Sequence, residues 1–174
     1  MRMAEYETRP REVGPTLVTA GLAGAPAIMV FDPDGLAKHE DVPASWHHLL
    51  WQHQVLWCRL PAMDTLTEAT QKVHELAAAR LPLDVVAGGT GAAIAVDFCE
   101  SHPPRSLLLV DPGTVPAESV TRLSDGGVRV SVVGDEGEPE PRTLGHPDVV
   151  AAVADLTGQP GESSEFGGAG GGLP

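Results

Sequence analysis

One stretch decides what this chain can fold into: LDVVAGGTGAAIAVDFCESHPPRSLLLV, residues 83–110. An apolar, β-branched run meets a cluster of glycines. A stretch of helical length follows, then a second apolar run. Strand, turn, helix and strand in that order join parallel neighbours in one sheet.

The same alternation runs through most of the chain. TLVTAGL and PAIMVF read as two early strands, and PASWHHLLWQH as a helix opened by Pro43. QVLWCRL is the next strand. TLTEATQKVHELAAARL is the clearest helix, with Thr65 and Glu68 at capping-box spacing. After residue 110, PAESVTRLS suits a short helix and VRVSVV a strand. HPDVVAAVADL suits a last helix, opened by Pro147 and Asp148. The predicted fold is α/β: a three-layer sandwich whose mostly parallel sheet carries helices on both faces. Its strands are expected to be apolar throughout. Residues 1–14 read as a flexible lead-in and 15–157 as the domain. Residues 158–174, rich in Gly, Ser and Pro, read as a flexible tail.

Charge narrows the function classes. Lys and Arg number 11 against 24 Asp and Glu, a formal net charge of −13. Such a surface repels phosphates, so no nucleic acid and no anionic membrane are expected as partners. No apolar run spans a bilayer, and the polar start lacks a signal-peptide core. The expected location is cytoplasmic, with Cys58 and Cys99 reduced and packed. In SWHHLLWQH no two histidines fall four residues apart, so no metal site is expected there. Trp46, Leu49 and Leu50 are expected to pack inward instead. No cofactor is expected. A small-molecule ligand or a protein partner is expected without its identity, and a homo-oligomer is compatible with the composition.

Ligands of parallel sheets bind at the carboxyl ends of the strands, so the residues after each strand matter most. After LDVVA come Gly88, Gly89, Thr90 and Gly91. This spacing of small residues resembles the nucleophile elbow of the α/β-hydrolase superfamily. SHPPRSLLLVDP is similar to a passage common in that family. IMVFDPDG, with Asp32, Asp34 and Gly35, sits where its thioesterases and esterases carry the oxyanion loop. The resemblance covers residues 15–157 and implies a minimal fold without a cap. The elbow lacks serine and cysteine. Matching the strand side puts Thr90 in the nucleophile slot; matching the helix side, through His102-Pro103, puts Gly89 there. The elbow needs positive φ, which glycine takes freely and a β-branched residue does not.

The other catalytic positions follow from the same resemblance. The family acid falls in the loop of Asp135, Glu136 and Glu138. His146 is the histidine within range, and equally a residue preceding a helix-opening proline. Asp32 and Asp34 would oppose an oxyanion. The reading is therefore a non-catalytic, thioesterase-like accessory or binding protein, a pseudoenzyme suited to a biosynthetic pathway. The enzymatic alternative is a hydrolase or thioesterase using Thr90, His146 and an acid from Asp135 or Asp111. VFDPDGL also resembles the first motif of haloacid dehalogenase-type phosphotransferases. That implies a Mg²⁺-dependent phosphatase with Asp32 as nucleophile, Asp34 as acid/base, and Asp135 and Glu138 near the metal. Asp32, Asp34, Asp111 and Asp135 are all expected along one edge of the sheet.

Overall fold

The computed structural model describes residues 15–33, 41–59, 63–134 and 142–158. Strand β4 (Leu83–Gly88), helix α2 (Gly91–Ser101) and strand β5 (Ser106–Val110) form a parallel crossover, as the sequence predicts. Around it the chain adds β1 (Leu17–Gly21), β2 (Ala27–Asp32), β3 (Gln54–Arg59), α1 (Met63–Ala78), α3 (Ala117–Asp125), β6 (Arg129–Val133) and α4 (Pro147–Leu156). The six strands run in the order β1-β3-β2-β4-β5-β6. Only β1 is antiparallel, to β3.

The layers follow from period-two alternation along the strands. In β2, Ala27, Met29 and Phe31 face one side, with Leu76 of α1, Phe98 of α2 and Leu123 of α3. Ile28 and Val30 face the other, with Trp46, Leu49 and the valines of α4. Right-handed crossovers demand this split. The chain runs from β2 to β3 in one direction and from β4 through β5 to β6 in the other, so the connections cover opposite faces. The result is a three-layer α/β sandwich.

Sequence expectations are corrected at three elements. Residues Ala44–Trp51 form a 3₁₀ helix, not an α-helix. Its buried residues, Trp46 and Leu49, stand three apart, which is the 3₁₀ repeat. Leu50 is only half-buried, and Trp51 is 83% exposed. The capping box fails because α1 already starts at Met63. Thr65 is buried, and its hydroxyl donates to the Arg59 carbonyl at 3.3 Å. Glu68 accepts from the Thr16 hydroxyl instead. Strand β6 is not apolar throughout, because it is a sheet edge, with Arg129 and Val132 exposed. The flexible segments expected over 1–14 and 159–174 lie outside the described residues.

The amino-terminal edge of the sheet is closed by an ion pair. Asp84, fully buried, accepts from the Arg105 guanidinium through both oxygens and from the Ser106 hydroxyl. Those bonds to Asp84 hold the Arg105 pKa above its ordinary value against the opposing effect of burial. Arg105 and Arg129 also donate to the Thr157 and Leu156 carbonyls, capping the carboxyl end of α4.

Cys58 and Cys99 are free and buried. Desolvation raises both thiols from 9.0 to about 12, with the Glu68 charge adding to the effect at Cys58. The folded state therefore holds these two protons where the unfolded chain releases them. Stability from this source is complete below pH 9.0 and declines toward about pH 12. Native protein is expected to leave both thiols unreacted with an aromatic disulfide reagent at neutral pH, and unfolded protein to expose two. Rapid labelling of either in the native state would contradict their packing.

Candidate functional site

A crevice forms in a parallel sheet where neighbouring strands send their connections to opposite faces. Here that point lies between β2 and β4, whose carboxyl ends carry Asp32-Pro33 and Gly88-Gly89. Gly89 has φ +47 and donates its N–H to the Val110 carbonyl at 2.9 Å. Among the described residues, a Cβ on Gly89 would meet only Pro33 Cγ, at 3.9 Å. The apex of this turn therefore points into the crevice and presents no side chain. Thr90 follows with φ −68 and ψ −15, at the cap position of α2. It is exposed, and its hydroxyl caps no helix N–H. Gly91 is the first, buried residue of the helix.

Gly88 serves a different purpose. A Cβ there would lie 2.9 Å from Leu144 Cδ2, so the missing side chain admits Leu144. Leu144 is buried in the core beside Val86, Val110 and Val149. Its carbonyl accepts from Trp46 Nε1 at 2.8 Å, and that of Gly145 accepts from the Ser45 hydroxyl at 2.9 Å. The 142–146 segment is thus seated over the end of β4.

Arg142 anchors the start of that segment. Its backbone N–H donates to Asp111 Oδ2 at 2.6 Å, and its Nη1 to Oδ1 at 3.1 Å. Asp111 directly follows β5 and takes φ +41, a left-handed conformation that Asp tolerates better than most residues. Gly134, with φ +116, lies so close that a Cβ there would collide with the Asp111 carboxylate. His146 ends the segment as the cap of α4. Its Nδ1 accepts from the Asp148 N–H at 3.2 Å.

The sequence-derived candidates therefore divide. Asp32 and Asp111 stand at the carboxyl edge, as expected. Asp34, Gly35, Asp135, Glu136 and Glu138 lie outside the described residues. Asp32 is fully buried and accepts from Trp57 Nε1 at 2.8 Å. Asp111 is bound by Arg142, which offsets its attraction for a cation. Among the described residues, no hydrogen bond links Thr90 to His146, or His146 to Asp111. No group of three His, Cys, Asp or Glu residues that could hold a metal occurs among them either. Arg142, Leu144 and Gly134 were not legible as site residues, because long-range contacts alone bring them there. A groove of 340 Å³ between α2 and α3, lined by Glu100, Pro103, Arg122, Leu123, Gly126 and Val128, opens near the opposite end of the sheet.

No family model matches the chain, and no curated protein matches it at a significant level. Among solved structures, it is similar to a protein of Xanthomonas campestris pv. campestris whose place among the hydrolases of the α/β superfamily is itself provisional. The two share 16% identity over 78% of this chain and 95% of that one, with a TM-score of 0.35. The fold assignment rests on the strand order and crossovers above. Among the described residues, no helix is long and apolar enough to cross a membrane.

Proposed function

We propose that the chain is a non-catalytic, α/β-hydrolase-like binding or accessory protein. The observation that carries this reading is the apex of the β4–α2 turn. A reacting side chain would be expected there, and the residue is Gly89. Three further features support it. Leu144 fills the space over Gly88, His146 Nδ1 is engaged in capping α4, and the Asp111 carboxylate is paired with Arg142. A hydroxyl becomes a nucleophile only beside a base that takes its proton. Thr90, the remaining hydroxyl at the turn, has no such partner among the described residues. A biosynthetic-pathway setting remains part of the proposal.

The reading predicts that purified protein hydrolyses short p-nitrophenyl esters and acyl thioesters at the same rate as its Thr90→Ala variant, close to the uncatalysed rate. Turnover that disappears in Thr90→Ala would restore the hydrolase reading. Turnover that survives there but requires Mg²⁺ and Asp32 would favour the phosphatase-like one.

A further inference from the structure

Two histidines outside the crevice meet across helices α1 and α2. His102 ends α2, and its ring lies on Phe98 at a centroid distance of 4.8 Å and an interplanar angle of 29°. Phe98 is itself held against Phe31 at 5.2 Å, so the His102 ring rests on a fixed aromatic surface. His74, on the exposed side of α1, brings its ring centroid to 5.8 Å from that of His102, tilted by 56°. The Nδ1 atom of His102 is buried and has no hydrogen-bond partner among the described residues. Such an atom in a native protein calls for an explanation, and an ion is one.

We propose that His74 and His102 form a two-imidazole site for a divalent transition ion of the Zn²⁺ and Ni²⁺ class. Imidazole nitrogens suit these metals and bind zinc at about 2.0–2.1 Å. At that bond length two rings on one tetrahedral ion stand about 5 Å apart between centroids, so the exposed His74 ring closes slightly from 5.8 Å on binding. The carboxyl end of α2 carries partial negative charge, which favours a cation at His102. With no third protein ligand clustered nearby among the described residues, water completes the coordination. The site is therefore exchangeable rather than a fixed structural zinc. It is independent of the reading of the crevice.

The test is calorimetric titration of chelator-treated, full-length protein with Zn²⁺ at neutral pH. Saturable binding of one ion is expected. His74→Ala should weaken it roughly tenfold or more, since even the outer partners of metal ligands matter that much. His48→Ala, in the exposed pair of the 3₁₀ helix, should leave it unchanged. His74 is exposed, so its variant keeps the fold and the outcome remains readable. No saturable binding at millimolar Zn²⁺, or binding that His74→Ala leaves intact, would overturn the proposal. So would binding that His48→Ala weakens as much as His74→Ala.

Discussion

Gly134→Ala is expected to destabilise the protein by about 3–5 kcal/mol, from a strained left-handed φ together with displacement of a part-buried ion pair. For a chain of this size that corresponds to a fall in melting temperature of about 6–20 °C. The added methyl cannot be accommodated by a small shift. Its position is 2.6 Å from Asp111 Cγ and 3.1 Å from Arg142 Nη1, and it collides with Asp111 Oδ1. The backbone there also has φ +116, which L side chains rarely adopt. The carboxylate must leave Arg142 or the strand end must move, and Asp111 is only 9% exposed. Thermal unfolding of the variant measures the loss. A fall of less than about 1 kcal/mol, ordinary for a surface change, would mean that Asp111 and Arg142 are not locked at this edge.

The second large effect is at Leu144, and it carries a sign that depends on its neighbour. Leu144→Ala removes a buried side chain and is expected to cost about 2–5 kcal/mol. Gly88→Ala alone is expected to cost about 1–3 kcal/mol by overpacking, because its Cβ would sit 2.9 Å from Leu144 Cδ2. In the Leu144→Ala background the same methyl enters vacated space, and Gly88 has no positive φ to resist it. Gly88→Ala should then be neutral or stabilising, so the double variant is more stable than the sum of the singles predicts. Simple additivity in chemical denaturation would show that Leu144 does not rest on Gly88.

These two expectations mark where sequence reading stopped. The strands and helices were legible because their periodicities are local. β2 and β4 are buried at every position and apolar but for one aspartate each, and α2 follows a turn that only a flexible residue can make. Gly89 was legible for the same reason, since positive φ at a tight turn restricts the residue type. Gly88 and Gly134 were not, because what restricts them is a side chain distant in sequence, Leu144 for one and Asp111 for the other. Thr65 shows the converse. Its spacing to Glu68 is that of a capping box, yet Glu68 bonds to Thr16, forty-nine residues before Thr65. Tertiary contacts overrode a local pattern. His146 stood between catalysis and a plain place before a helix-opening proline, and sequence alone left that open. Its bond to the Asp148 N–H gives it a place at the start of α4 that the sequence did not announce.

The central claim is that this scaffold carries no activated hydroxyl at its β4–α2 turn. A fluorophosphonate tests it directly, because such reagents phosphonylate a hydroxyl whose proton a neighbouring base takes far faster than an ordinary one. The measurement is the intact mass of the full-length protein after prolonged incubation with an excess of the reagent. An unchanged mass is expected. The same is expected for Gly89→Ser, which places a hydroxyl at the apex without supplying a base. A single adduct on wild-type protein, mapped to Thr90 and abolished by His146→Ala, would contradict it.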